Sequence, residues 1–425
     1  MNLDRKSFLR RMGAGAAGLL AAGALRDAAA GEAVPAWSER DPESFWTAIR
    51  AQYAVTRQLI YFNTGGLGPA ADPILDVFEK TSRKLQEKSE TGYNLLADAR
   101  TTVARFLGAD AAEVCFVRNA TEGNAIIAAG LALKAGDEVI FDSHAHPGGS
   151  FPWLNQHKLR GVTVRLFEPS VKSPAENLER IAALIGPRTR VVQVSHVTAP
   201  TGIVMPVAAI AKLCRERGIW FHVDGAQTAG MFPFSLHAIG CDSYATSGHK
   251  WLGAPHETGI FYIRRDRLDD VTPLLVGAHS SDQTDIRTDL AMVPTAQRHE
   301  YGTRSAAAVV ALAAAAESQE RIGCERIAAR GRMMAARVRA GLEKVSDVEI
   351  LTPAHPELCA AILTFRSPRL PQDKLFTRLL TDFKLRCRPV TEEGLNAVRV
   401  STHLMNSPAE CDALVAGVAG TLKKA

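Results

Sequence analysis

The chain has 425 residues, 46% of them apolar and 22% charged, with 33 Gly and 21 Pro, a balance that excludes disordered, collagenous, coiled-coil and multi-span membrane architectures. Formal net charge is +5, and the first thirty residues supply three of those charges, because Arg5, Lys6, Arg10, Arg11 and Arg26 face only Asp4 and Asp27. The remainder carries no basic field broad enough for nucleic acid.

At the amino terminus, Arg5-Lys6-Ser7-Phe8-Leu9-Arg10-Arg11 precedes an apolar Gly/Ala-rich run over 12–25 and then Ala28-Ala29-Ala30. A basic start, an apolar stretch and small residues at its end are the three parts of a signal peptide. The run is too short and too weakly apolar for a bilayer span, which takes about 20 residues. Residues 1–30 are therefore expected to be an export signal without a permanent anchor, and 31–60 an N-terminal arm. The stretch Asp4-Arg5-Lys6-Ser7-Phe8-Leu9-Arg10 is similar to the bacterial twin-arginine signal, with Lys6 where the second arginine usually stands. That similarity implies a periplasmic or secreted protein. The seven cysteines (Cys115, Cys214, Cys241, Cys324, Cys359, Cys387 and Cys411) lie far apart with no Cys-x-x-Cys pair, which points to neither a zinc site nor a disulfide framework.

Farther along, short apolar runs at 113–117, 138–141, 162–167, 190–195, 219–224, 242–246 and 258–263 alternate with helical patterns such as 206–217. Near-continuous Val, Ile and Phe strands separated by amphipathic helices indicate a sheet buried on both faces. The expected fold is α/β, with a large domain over 61–300 built on a mostly parallel seven-stranded sheet. Over 271–298 the periodicity lapses into a long surface excursion. An Ala-rich helical pattern runs from 305 towards 342, nicked near Gly323. Strand patterns at 349–365, 385–390 and 397–401, with helical patterns at 371–383 and 408–423, complete a connecting helix and a smaller α+β domain over 301–425.

Ligands of open α/β sheets bind outside the carboxyl ends of the strands, and here those ends are unusually polar. Lys250 follows small and polar residues and precedes Trp251-Leu252-Gly253, surroundings that desolvate an amine, lower its pKa and suit it to Schiff-base chemistry. Asp224 closes an apolar strand, where a shielded carboxylate suits a pyridinium nitrogen. Thr121 opens a helix directly after a strand, so its hydroxyl and the free amides around it suit a phosphate, a pocket that Ser247 and His249 complete. His146 is placed to stack on a planar ring. Each residue alone has an ordinary structural role. Their succession on successive βα units is the informative feature.

The chain resembles the class V aminotransferase family of pyridoxal 5'-phosphate (PLP) enzymes, of fold type I. The resemblance rests on Asn119-Ala120-Thr121-Glu122-Gly123, Ser195-His196-Val197-Thr198-Ala199-Pro200-Thr201-Gly202, His222-Val223-Asp224-Gly225-Ala226-Gln227, Ser247-Gly248-His249-Lys250-Trp251-Leu252-Gly253 and Glu300-Tyr301-Gly302-Thr303-Arg304. Tyr61-Phe62-Asn63-Thr64-Gly65-Gly66-Leu67-Gly68-Pro69 looks most like the isopenicillin N epimerase-like subgroup. The resemblance implies that Lys250 holds PLP covalently, Asp224 binds its ring nitrogen, Gln227 its phenolic oxygen, and His146 stacks on the ring. Thr121, Ser247 and His249 would bind the phosphate, with Glu122 among the cofactor-binding residues. Thr303 would reach the phosphate of a neighbouring subunit, implying a homodimer with shared active sites. Arg399 would bind the substrate's α-carboxylate, and Asn63 would border the substrate pocket.

The implied activity is chemistry at the α-carbon of an amino acid or a related amine, by transamination or epimerisation. A cysteine desulfurase or carbon–sulfur lyase is the alternative, although Ala199 stands where desulfurases carry asparagine, and Cys387 is read as lying on a strand rather than at the tip of a catalytic loop. Two readings of other classes are a non-catalytic PLP-binding protein and a metallohydrolase using His144, His146 and His249.

Overall fold

The computed structural model describes residues 34–424; the expected export signal over 1–30 lies outside the described residues. Among the described residues no helix is long and apolar enough to cross a membrane.

The first elements are α1 (Pro42–Ala51), β1 (Ile60–Tyr61), α2 (Asp72–Lys88) and α3 (Leu96–Leu107). Strands and helices then alternate through β2 (Val114–Val117), α4 (Ala120–Gly130), β3 (Glu138–Asp142), α5 (Pro147–Arg160), β4 (Thr163–Phe167), α6 (Pro174–Leu184), β5 (Thr189–Ser195), α7 (Val207–Glu216), β6 (Trp220–Asp224), β7 (Ser243–Ser247) and β8 (Gly259–Ile263). The seven strands form one sheet in the order β2-β8-β7-β6-β5-β3-β4. β3, β4, β5, β6 and β7 pair in parallel, and β8 runs antiparallel to both β7 and β2. This is the α/β sheet expected from the alternation of apolar runs. β3, β6, β7 and β8 are buried along their whole length, as cover on both faces requires. β4 differs: it is one edge of the sheet, and Leu166 is 54% exposed.

The Ala-rich pattern forms two helices, α8 (Ala306–Ile322) and α9 (Cys324–Leu342), separated at Gly323, whose φ of +100° lies in the region that favours glycine. Every residue from Ala306 to Ala316 is buried; an all-round apolar helix belongs inside a protein, and its small side chains let α2 and α3 approach closely. Beyond it come β9 (Glu349–Ile350), β10 (Ile362–Arg366), α10 (Gln372–Phe383), β11 (Leu385–Arg386), β12 (Arg388–Val390), β13 (Ala397–Ser401) and α11 (Pro408–Lys423). A four-stranded antiparallel sheet in the order β12-β13-β10-β9 shares an apolar cluster with α9, α10 and α11 that includes Val338, Phe365, Leu379, Val400 and Val418.

The pattern at 385–390 reads as one strand, whereas the structure divides it at Cys387. β11 pairs in parallel with β1, while β12 joins the small sheet. The division matters for the site: β1 and the isolated bridge Asn63↔Ser401 tie the segment over 61–69 to the small domain, and that segment reaches the mouth of the large sheet.

Candidate active site

One end of the site is the start of α4. Asn119 takes an extended conformation and its Oδ1 accepts the amide of Glu122 at 3.0 Å, capping the helix. Ser247, at the end of β7, accepts the amide of Ala120 at 3.1 Å. Thr121 between them lines the cavity with Ser247 and His249. A Cβ on Gly148 would come within 2.3 Å of Thr121 Oγ1, so glycine there leaves the hydroxyl room. Helix dipole, amides and hydroxyls together make an anion site. Glu122 corrects the expectation. Its carboxylate turns back to accept the amide of Arg118 at 2.6 Å and its guanidinium at 3.2 Å, and it does not line the cavity. A carboxylate facing a phosphate would repel it, so this side chain anchors the turn instead.

The other end is Asp224, 6% exposed at the end of β6. Its Oδ1 accepts the amide of Ala226 at 3.0 Å and its Oδ2 accepts Asn124 Nδ2 at 3.0 Å. Behind Asn124 runs a buried chain of hydrogen bonds whose direction is set at the Asp224 end, where the carboxylate can only accept, so Asn124 gives its amine to Asp224 and turns Oδ1 back along the chain. Trp220 Nε1 can only donate, and it donates to Ser243 Oγ at 3.0 Å. Ser243 then donates to His222 Nδ1 at 2.8 Å, and His222 Nε2 donates to Asn124 Oδ1 at 2.8 Å. His222 stays neutral, because burial pushes its pKa down to about 3.

Lys250 and His146 lie between the two ends. Burial pushes the Lys250 amine down to about 8, Arg399 and Arg388 push the same way, and Asp224 opposes them. His146 caps α5 by accepting the amide of Gly148 on Nδ1 at 3.0 Å, and burial, then Lys250, lowers its pKa. Gln227 is clamped from two sides: Nε2 donates to Gly65 O at 2.8 Å and Oε1 accepts Trp251 Nε1 at 2.8 Å. One Nε2 hydrogen remains for a ligand.

The small domain supplies Arg399, only 1% exposed, which donates to Ala199 O at 2.8 Å and to Asn63 Oδ1 at 3.4 Å. Burial, then Arg388, pushes it down to about 9, still protonated at neutral pH. Asn63 therefore sits behind the arginine, and Gly65 and Gly66 form the wall in its place. The cavity measures about 240 Å³.

An anion site at a helix start, a carboxylate at the opposite end and a desolvated amine between them fit PLP. Gly149 strengthens that fit, because a Cβ there would lie 2.7 Å from Asp224 Oδ2. Thr121, Ser247 and His249 suit the phosphate, Asp224 the ring nitrogen, Gln227 the phenolic oxygen and Lys250 the aldehyde carbon.

Thr303 is exposed and lies outside this cavity, so within one chain it adds nothing to the site. His144, His146 and His249 do not converge. His144 bonds Thr201 Oγ1 at 2.9 Å and Glu168 at 3.2 Å, whereas His249 Nδ1 donates to Thr258 O at 3.2 Å. Among the described residues the one acid/His cluster of ligating size is Asp110, Glu113 and His237, on a helix cap elsewhere. Cys387 is buried in the small domain's core, its thiol pushed up to about 12 by burial, and does not line the cavity. Sequence reasoning missed Asn124 and Arg388, both in the cavity wall. Asn124 could have been found as the residue one helical turn after Thr121, on the same face. Arg388 had no comparable signal.

Comparison with known proteins follows the same lines. The chain is 31% identical over 388 residues to the isopenicillin N epimerase of Amycolatopsis lactamdurans, covering 87% of this chain and 96% of that one. It is 25% identical over 384 residues to a probable cysteine desulfurase of Pyrococcus abyssi, covering 86% and 94%. Among solved structures, a cystine C-S lyase in complex with cysteine persulfide superposes with a TM-score of 0.81 at 26% identity, covering 87% of this chain and 99% of that one. The apo cysteine desulfurase of Thermococcus onnurineus superposes at 0.80 and 24% identity, covering 89% and 98%, a likeness of fold. The family model described as Aminotransferase class-V matches residues 74–388, the span that holds every residue of the cavity wall except Gly65, Gly66 and Arg399, and the chain belongs to the class V aminotransferase family.

Proposed function

We propose that this protein is a PLP-dependent enzyme acting at the α-carbon of an amino acid or a related amine, by epimerisation or transamination. The observation that carries the proposal is the desolvated Lys250 amine in one cavity with Asp224, the α4 anion site and Arg399. Bound PLP supplies an electron sink for negative charge at the substrate's α-carbon. Arg399 binds the α-carboxylate through its planar fork and so orients the α-hydrogen. Lys250, whose side chain lines the same cavity, would take that hydrogen as a proton and return it. Asp224 would hold a proton at the ring nitrogen of bound PLP, and the Trp220–Ser243–His222–Asn124 chain holds Asp224 in place. Binding alone needs no carboxylate-binding arginine, which favours an enzyme over a passive PLP carrier. No cysteine lines the cavity, which weighs against persulfide chemistry on a protein thiol. A carbon–sulfur lyase needs no such thiol and is the second reading, favoured by the likeness to the cystine C-S lyase.

We also propose that the protein works as a homodimer. Thr303 is exposed, and on the excursion Leu274, Leu275 and Val276 are 45–49% exposed in succession, an apolar ridge that a second copy can cover. On residues 5–30 alone we further propose export to the periplasm.

Lys250→Ala is expected to keep the fold but to lose both turnover and the visible absorption band that borohydride abolishes. In the unsubstituted apoprotein the rate of covalent PLP uptake is expected to rise with pH and level off above about 8, since only the neutral amine attacks. Turnover by the alanine variant, or uptake that slows as pH rises, would sink the mechanism. Asn124→Leu removes the donor to Asp224 and is expected to cost roughly 10–100-fold in kcat/KM, the worth of one hydrogen bond to a charged group. Wild-type kinetics in that variant would strip the chain behind Asp224 of its role. Light scattering should return twice the chain mass; a monomer with full activity ends the dimer proposal. Fractionation of cells expressing the full chain should place the protein in the periplasm, and a variant with Arg5 and Lys6 both changed to Gln should stay inside; equal cytoplasmic retention of both ends the export proposal.

A further inference from the structure

Arg388 is a second guanidinium in the cavity wall, and neither the family resemblance nor the chemistry above gives it a task. β12 and β13 are antiparallel, and their register sets Arg388 directly opposite Arg399. Residues directly opposite in an antiparallel pair project to the same face with Cβ atoms about 5 Å apart, and like charges so placed destabilise the sheet. Both side chains reach the cavity that holds Lys250.

The protein's own groups compensate this only in part. Glu392 pairs with one nitrogen of Arg388, NH2, and leaves its NH1 buried without a partner. Arg399 is held by Ala199 O and Asn63, and its Nε is likewise buried and unpartnered. Arg388 and Arg399 both line the cavity, and unmet cationic donors of this kind carry a desolvation cost that an incoming anion removes. One carboxylate meets the fork of one guanidinium. A wall with two forks on one face matches two anionic groups on one molecule.

We propose that the substrate is an amino acid with a second carboxylate on its side chain, or an equivalent anion, with Arg399 binding the α-carboxylate and Arg388 the distal one. This substrate class rests on the function proposed above. Glu392 occupies one edge of the Arg388 fork, fixes its position, and leaves the other edge for the ligand. Arg388 is thus a specificity residue, and its removal weakens dicarboxylate ligands more than neutral ones.

The test uses the PLP-loaded enzyme and titrates its visible band with aspartate, glutamate and 2-aminoadipate against asparagine, glutamine and norleucine. Calorimetry of glutarate against butyrate, on loaded and apo forms, provides a readout independent of turnover. At least one dicarboxylic amino acid is expected to bind at least about tenfold tighter than its neutral counterpart, the worth of a hydrogen bond to a charged group. Arg388→Gln is expected to abolish that preference, with affinity for the dicarboxylates falling at least about tenfold relative to that for the neutral amino acids. Glu392→Gln, which frees the second edge of the fork, is expected to strengthen dicarboxylate binding several-fold. The inference is overturned by a coloured enzyme with no dicarboxylate preference. It is equally overturned if Arg388→Gln weakens both classes alike, which would put both guanidiniums on one carboxylate, or if Glu392→Gln weakens dicarboxylate binding. A protein that stays colourless and takes up no PLP fails the proposed function itself, and in that case a glutarate preference in the apo form still decides for or against Arg388.

Discussion

The amine of Lys250 can lose its proton near neutral pH only because separate parts of the chain close over it. The large sheet brings Lys250 to the end of β7, but strand ends are open to water. Closure comes from Gly65, Gly66 and Gly68, and from β12 and β13 of the small sheet. The fit at Gly68 is so close that a Cβ there would lie 1.7 Å from the carbonyl oxygen of Lys250, and Gly68 N donates to His249 O at 2.9 Å. Desolvation then does to the lysine what burial does to any ammonium group. The same closure buries Arg399 and part of Arg388, so the desolvated amine and the two guanidiniums come together in one packing arrangement.

That closure creates a concentration of charge which the surrounding polar groups must hold in order. At the Asp224 end, one carboxylate receives an amide from its own turn and another from Asn124, and each bond behind Asn124 has a single direction because a carboxylate can only accept. Fully satisfied buried networks of this kind specify one arrangement, whereas a partly satisfied one is costly. At the arginine end the network is left incomplete, with donors unmet on Arg388 and Arg399. The contrast separates a finished scaffold from a surface prepared for a ligand.

Much of the architecture was legible in residue order. The alternation of apolar runs and amphipathic segments gave seven strands and their helices, since strands buried on both faces must be apolar throughout. Gly323 marked the break between α8 and α9, and Thr121, His146, Asp224, Gln227, Ser247, His249 and Lys250 stand around one cavity at successive strand ends. Less legible were residues whose role depends on orientation. Glu122 is adjacent to Thr121 in sequence, yet a helix turns neighbours about 100° apart, and its carboxylate faces Arg118 instead of the anion site. Cys387 and Arg388 are adjacent too, and because strand side chains alternate, one goes into the small domain's core and the other to the cavity.

By itself, then, the sequence determined the elements, their parallel arrangement and the polar strand ends, because hydrophobic period and local hydrogen-bonding chemistry act over a few residues. Tertiary structure alone decided that β11 and β12 part company at Cys387, that Arg388 and Arg399 face each other across a ladder, and that Trp220, Ser243, His222 and Asn124 line up behind Asp224. Tertiary contacts at this site join residues as far as 336 positions apart, as Asn63 and Arg399 are. Their partners are chosen by register and burial across the whole fold, and no local pattern carries that information.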